Sequence, residues 1–322
     1  MNELLAVRVA EKRLAAEGIC LIELESADGR PLPPYTAGAH IDLHLPGNVV
    51  RQYSLSAYRP VPERYQVAVL REPQSRGGSR AVHDLLYQGD CLNISFPRNL
   101  FPLASDEGCA LLLAGGIGIT PILCMAEFLA AHGRAFELHY CGRSQGRMAF
   151  LDRLSEDDME ANVHIHVDEG PPEQRFDIGR LLQRHCGEGH LYVCGPIGFI
   201  DAVLTEANAK GWTRDRIHFE RFSNAEAYRS EGSDSSFVVE IASTGECVSV
   251  ASDESIIEAL ARHGVMIETS CEQGICGTCL TQVKAGVPEH RDIYLSEAER
   301  ERNDQLLPCC SRSRTPKLVL DI

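Results

Sequence analysis

Cys271, Cys276 and Cys279 stand in C-x4-C-x2-C spacing on the stretch Cys-Glu-Gln-Gly-Ile-Cys-Gly-Thr-Cys, and Cys309 and Cys310 follow later in the chain. Thiolates so spaced can turn their sulfurs onto one small metal centre. Gly274 and Gly277 lack a Cβ and let the loop bend closely around it. The spacing is that of plant-type [2Fe–2S] loops. Zinc also accepts four thiolates, but its structural sites usually show two short Cys pairs. Here three thiols crowd one loop and the fourth, from Cys309 or Cys310, stands alone, so iron–sulfur chemistry is the expectation.

Two other regions carry chemistry. Gly115-Gly116-Ile117-Gly118-Ile119-Thr120-Pro121 follows the apolar run Ala110–Ala114. A glycine turn between strand and helix brings backbone N–H groups and a helix dipole to a pyrophosphate. It lacks the third glycine of G-x-G-x-x-G, and alone is a weak signal. Cys141-Gly142-Arg143 and Cys194-Gly195-Pro196 end two further strand patterns, where open α/β sheets bind ligands. Nearer the start, Arg51-Gln52-Tyr53-Ser54 offers a cation, a ring and a hydroxyl to a flavin. Arg76-Gly77-Gly78-Ser79-Arg80 exposes consecutive N–H groups that can bind an anion. Read singly, the first is more often an exposed strand with one aromatic contact, and the alternative for the second is a plain flexible turn.

These motifs, with His290-Arg291-Asp292, Leu295-Ser296 and Cys309-Cys310-Ser311-Arg312, resemble the phthalate dioxygenase reductase family over nearly the whole chain. The resemblance implies a multidomain β, α/β and α+β architecture. An antiparallel β-barrel flavin domain is expected at 1–104 and a parallel-sheet NADH-binding domain at 105–224. A linker is expected at 225–235 and a β-grasp, plant-type ferredoxin domain at 236–322. It implies Cys271, Cys276, Cys279 and Cys309 as [2Fe–2S] ligands, with Ser311 and Arg312 behind them. It implies Arg51, Tyr53, Ser54, Val69, Arg71, Arg76, Gly77, Gly78, Ser79 and Phe222 along FMN. Gly115, Gly116, Gly118, Thr120, Pro121, Cys141, Arg143, Cys194, Gly195 and Pro196 are implied along NADH, with Cys194 near the nicotinamide. FMN over FAD, and NADH over NADPH, rest on the resemblance. The implied activity is that of the reductase component of a two-component Rieske-type oxygenase or demethylase. Electrons would pass from NADH through FMN and the cluster to a separate terminal oxygenase. The protein supplies binding and electrostatics and needs no acid–base pair of its own. Rival readings are a reductase for a ferredoxin or other acceptor, and a non-enzymatic cysteine–metal redox sensor.

The elements that must position these groups change character along the chain. Short apolar runs at Leu4–Val9, Ile19–Leu24, Ile41–Leu45, Tyr65–Leu70 and Cys91–Phe96, parted by Gly, Pro and Asp, predict a closed barrel. A short helix is expected at Ser79–Leu86. From 109 to 222 strands alternate with helices, which predicts a parallel sheet with a helix over Ile122–Ala131. The last domain reads as a hairpin, Phe237–Ile241 and Glu246–Val250, then a helix capped by Ser252 or Asp253 and ended by Gly264. Strands at Leu280–Val283 and Lys317–Ile322 follow. His164 and His166 share a strand face and are expected to be structural.

The chain's 322 residues predict two or three domains, and 44% hydrophobic and 24% charged residues are ordinary for a globular protein. A net charge of −15 disfavours nucleic acid, whose phosphates it would repel. It suits a basic partner surface. Thirteen scattered cysteines fit a reducing compartment, and with no signal-peptide core near the start a cytoplasmic monomer is expected. The uncharged stretch 108–126 is broken by Gly115, Gly116, Gly118 and Pro121 and does not predict a membrane span.

Overall fold

The computed structural model describes residues 4–47, 49–73, 77–106, 108–156, 159–171, 175–185, 189–222, 235–269 and 271–322. The linker expected at 225–235 lies, but for Ser235, outside the described residues. Met1–Phe222 form one compact unit and Ser223–Ile322 a second.

The first unit opens with strands β1 (Leu4–Ala16), β2 (Ile19–Ser26), β3 (His40–Leu45), β4 (Val49–Ser54), β5 (Arg64–Leu70) and β6 (Cys91–Ser95), with helix α1 (Gly78–Asp84) between the last two. They form an antiparallel sheet in the order β4-β3-β6-β1-β2-β5. A bridge from Leu55 to Val67 and a 2.9 Å bond from Ser56 N–H to the Gln66 carbonyl join β4 to β5 and close the barrel. Alternating residues fill it: Val7, Val9, Ile41, Leu43, Tyr65, Val67 and Ile94 are all buried. Strand β1 runs well past the expected Val9. Its apolar pattern stops there, but backbone pairing with β2 continues through register shifts after Val9 and Leu14, the bends that closure requires.

The remainder of this unit alternates β7 (Ala110–Gly115), α2 (Ile119–Ala131), β8 (Phe136–Gly142), α3 (Leu151–Leu154), β9 (Val163–Val167), α4 (Ile178–Arg184), β10 (His190–Cys194), α5 (Ile197–Ala209) and β11 (Ile217–Glu220). The five strands are parallel, in the order β11-β10-β7-β8-β9. The chain therefore changes direction across the sheet between β7 and β10, the kind of switch point where such sheets bind ligands. Helix α2 begins three residues earlier than expected. Pro121 is tolerated because N–H groups of a first turn have no intrahelical partner to lose. Ile122, Leu123 and Met125 pack with Ile19, Leu21 and Ala68 of the barrel wall in one core. This explains why β2 is buried along both faces and reads as an unbroken apolar run. Polar pins cross the same seam: Glu127 accepts from the Tyr58 N–H at 2.8 Å, and Arg153 donates to Gln66 at 2.7 Å.

In the second unit β12 (Phe237–Ile241) and β13 (Cys247–Val250) form the hairpin, and α6 (Ile256–Arg262) lays Ile256, Ala259 and Leu260 on the sheet. Then come β14 (Thr281–Ala285), β15 (Pro288–Glu289), α7 (Glu297–Arg302), β16 (Gln305–Leu306), β17 (Arg312–Ser313) and β18 (Lys317–Leu320). The main sheet runs β13-β12-β18-β14-β16, with β12 and β18 parallel. A helix packed across such a sheet is the β-grasp arrangement expected. Two local expectations are corrected. The cap of α6 is Ser255, not Ser252 or Asp253, because only Ser255 closes a reciprocal capping box with Glu258. Helix α7, for which the sequence pattern gives no expectation of a helix, is held by the same device from Ser296 and Glu299.

Candidate functional site

In the second unit the loop between α6 and β14 gathers the thiols. Cys271, Cys279 and Cys309 are buried, and Cys276 is half-buried. Gly274 and Gly277 have φ of 69° and 74°, and neither has room for a side chain. A Cβ on Gly274 would lie 2.4 Å from Cys310 Sγ, and one on Gly277 would lie 2.3 Å from the Tyr294 ring. Cys271 bonds with Cys276, and Cys309 with both Cys279 and its neighbour Cys310. Among the described residues no three of these sulfurs lie within 4.8 Å of one another. One zinc ion holding four thiolates at about 2.3 Å would bring all four to about 4 Å of each other. The grouping of Cys271 with Cys276 and of Cys279 with Cys309 matches a binuclear cluster in which each iron takes two thiolates. Cys310 turns its sulfur toward the Leu307 carbonyl, 3.7 Å away. Hydrogen bonding from Cys271 lowers the Cys276 thiol below its ordinary value, which favours the thiolate that a metal takes. The donor set and the loop fit a [2Fe–2S] cluster.

In the first unit the glycine turn and the barrel face meet at the switch point. A Cβ on Gly118 would lie 2.3 Å from the Cys194 carbonyl oxygen and 2.6 Å from Gly195 N. The turn after β7 therefore rests directly on the end of β10, and Gly195 in turn leaves 3.0 Å between its own Cβ position and Gly115 Cα. Thr120, buried, donates its hydroxyl to the Ile117 carbonyl at 3.1 Å and ties the turn to α2. Pro121 is buried in α2, Pro196 caps α5, and Gly116 takes a positive φ at the mouth of the turn. Cys141 is buried at the end of β8, and Arg143 beyond it is exposed. Cys194 is fully buried, and burial followed by the Glu220 charge holds its thiol well above the ordinary value. It is no nucleophile.

On the barrel, Arg51, Tyr53 and Ser54 lie along β4. The stem of Arg51 passes where a Gly78 side chain would be, 2.5 Å from its Cβ position, which carries the guanidinium to the start of α1. Gly77 precedes that helix with φ 94°. The Ser79 hydroxyl accepts from the Glu72 N–H at 3.1 Å. Burial raises the Tyr53 hydroxyl. Arg71 forms a two-point ion pair with Asp84, at 2.6 and 2.9 Å, and Val69 lies in the barrel core. Phe222 is partly exposed just beyond β11. Arg76 lies outside the described residues.

Sequence reading missed Glu220. The last residue of β11 accepts a hydrogen bond from the Ser54 hydroxyl at 3.1 Å, so barrel, β10 and β11 converge on one spot through Ser54, Cys194 and Glu220. The residue keeps part of its surface in solvent, but its carboxyl is densely surrounded. Burial raises it to about 7, against the lowering effect of Ser54. An acidic residue closing a strand at the carboxyl edge of the sheet was the only available signal. Glu220→Gln is expected to flatten the pH dependence of NADH-driven flavin reduction, which in the wild type should step near this value. Stability should move too. The folded protein prefers the neutral acid, so the wild type loses stability as pH rises from the ordinary 4.5 through about 7. Gln removes that slope and gains no more than about 3 kcal/mol in alkali, with no gain in acid. Stopped-flow traces and unfolding midpoints against pH measure both.

Comparison with known proteins shows where this arrangement recurs. Residues 239–314 match the 2Fe-2S iron-sulfur cluster binding domain, and residues 112–205 match the oxidoreductase NAD-binding domain. The chain is 48% identical, over 99% of its length and 100% of the other's, to the vanillate O-demethylase oxidoreductase of Pseudomonas sp. strain HR199. It is 36% identical to the phthalate dioxygenase reductase of Burkholderia cepacia, over 99% of this chain and 97% of that one. A solved structure of phthalate dioxygenase reductase, described as a modular structure for electron transfer from pyridine nucleotides to [2Fe–2S], superposes with a TM-score of 0.81. It is 36% identical and covers 99% of this chain and 98% of that one. No helix among the described residues is long and apolar enough to cross a membrane.

Proposed function

The chain belongs to the phthalate dioxygenase reductase family, and from that premise we propose that it is the reductase component of a vanillate-type O-demethylase, delivering electrons to that system's Rieske oxygenase. As an NADH-dependent flavin iron–sulfur oxidoreductase, it uses FMN to accept hydride from NADH and a [2Fe–2S] cluster to carry single electrons onward. The choice of partner is supported by the gradient of identity, 48% to a vanillate O-demethylase oxidoreductase against 36% to a phthalate dioxygenase reductase. The acidic surface, with a net charge of −15, favours an acceptor with a basic docking face.

The assignment of roles follows the geometry. Cys271, Cys276, Cys279 and Cys309 hold the cluster, and their grouping in two pairs is the observation that carries the reading. Arg51 and the backbone of Gly77, Gly78 and Ser79, together with Arg76, hold the flavin phosphate. Tyr53 and Ser54 orient the ring. The turn of Gly115, Gly116, Gly118, Thr120 and Pro121 receives the pyrophosphate of NADH, with Arg143 on its adenosine side. Cys194 and Glu220 border the nicotinamide, where Ser54 and the protonated carboxyl hold a hydrogen-bonded proton beside the site of hydride transfer. In this reading the flavin, NADH and ferredoxin modules span 1–104, 105–224 and 236–322. The protein acts as a cytoplasmic monomer.

Reconstitution tests this. Holoprotein mixed with a vanillate-type terminal oxygenase, vanillate and NADH should form demethylated product in proportion to NADH consumed. A phthalate-type oxygenase should be served at least several-fold more slowly. Equal service of both, or NADH oxidation with no product from either, would overturn the choice of partner.

A further inference from the structure

We propose that Glu137, His139 and His164 form a binding site for a divalent late-transition metal ion, with zinc the natural occupant, on the face of the parallel sheet that carries α4. Glu137 and His139 are two residues apart on β8 and so share a face, and the parallel register sets His164 of β9 beside His139. One donor atom from each of the three lies within 4.8 Å of the other two. His139 Nε2 is 2.9 Å, and His164 Nε2 3.3 Å, from the same oxygen, Glu137 Oε1. Two imidazoles and a carboxylate are a ligand set that zinc takes readily, leaving a fourth position for water. Harder ions such as magnesium and calcium prefer sites built of oxygen alone.

The groups behind these three are arranged as outer partners of a metal site. The other carboxylate oxygen, Glu137 Oε2, is 2.8 Å from His185 Nε2, and the other ring nitrogen of His139 is 2.8 Å from His166 Nε2. Such partners fix the tautomer and aim of the ligands. Phe176 lies against both His139 and His166 and closes one side. The His164 side chain is 48% exposed and leaves a way in. One group opposes a cation: Arg184 donates to Glu137 Oε1. Its side chain is 62% exposed and free to swing into water. The site shares no residue with the cysteine loop, the glycine turn or the barrel face, and rests on no part of the reductase reading. An ion here would staple the edge strand β9 to β8.

Tag-free holoprotein, its cluster verified by visible absorbance, is titrated with Zn2+ by calorimetry and by thermal unfolding, alongside His164→Ala and Arg184→Ala. Both substitutions fall on exposed side chains, and far-UV circular dichroism confirms that the variants fold. The wild type should take up one saturable ion per chain and unfold at higher temperature when it is bound. His164→Ala should bind roughly ten-fold more weakly or worse, and Arg184→Ala several-fold more tightly, with the cluster absorbance unchanged throughout. Absence of saturable uptake by the wild type overturns the site. Equal uptake by His164→Ala also overturns it, as does uptake abolished by alkylating the exposed Cys91 and Cys247, which assigns the ion to those thiols.

Discussion

Cys276→Ser is expected to abolish electron delivery to an external protein acceptor while leaving NADH-driven flavin reduction close to the wild-type rate. Cys276 belongs to the pair with Cys271, and hydrogen bonding from that partner lowers its thiol, which favours the thiolate. A serine hydroxyl at the same place stays protonated and is a far poorer ligand for iron. The flavin and nucleotide residues lie in the unit Met1–Phe222, and the thiols in Ser223–Ile322. The hydride step uses none of the loop's thiols. Stopped-flow absorbance of the flavin band against NADH should be unchanged. Oxygenase-coupled turnover should fall by roughly a hundred-fold or more, beyond the loss expected from altering an outer partner of a metal ligand. Full coupled turnover in this variant would mean that electrons leave by another route.

Gly118→Ala is expected to damage both NADH use and stability, although it adds one methyl group. Its Cβ would sit 2.3 Å from the Cys194 oxygen, 2.4 Å from the carbonyl carbon and 2.6 Å from Gly195 N. All three are backbone atoms at the end of β10, so no side-chain rotation relieves the clash. The turn must lift away from the neighbouring strand. Overpacking of this kind costs about 1–3 kcal/mol, and displacing a binding turn by about an ångström is enough for a loss on the order of a hundred-fold in rate. Gly198→Ala, in α5, serves as the control: its added Cβ meets nothing within 4 Å, so it should leave NADH kinetics unchanged. Thermal midpoints and kcat/KM for NADH distinguish the two. A Gly118→Ala protein with wild-type values for both would show that the turn does not rest on β10.

Several elements were legible because their signals are local. The barrel runs, the alternation of strand and helix and the β-grasp hairpin all follow from residue periodicity and turn residues. Where the reading fell short, the deciding interaction was a choice between near-equal local options or a neighbour remote in sequence. Ser255 prevailed over Ser252 and Asp253 because only its spacing to Glu258 closes the box. Helix α7 carried the same signature at Ser296 and Glu299, which an apolar-periodicity reading passes over because no α7 residue is buried. Strand β1 outran its apolar pattern because β2 supplied backbone partners as far as Ala16.

The chain's order alone determined the iron–sulfur spacing of the cysteine loop, the modules and their succession, and the strand–turn–helix form of the glycine turn. Each depends on residues a few positions apart, whose geometry the backbone imposes wherever the segment finds itself. Tertiary structure decided which thiols pair, and that Cys309 rather than Cys310 faces Cys279. It decided that Ser54 meets Glu220 across the barrel seam, and that Glu137 and His139 lie against His164. The cysteine pair Cys279 and Cys309, Ser54 with Glu220, and His139 with His164 each join residues far apart along the chain. The Ser54–Glu220 and His139–His164 meetings come into being only when the sheet adopts the order β11-β10-β7-β8-β9 and the barrel closes, because strand pairing, not spacing along the chain, sets the distance between them.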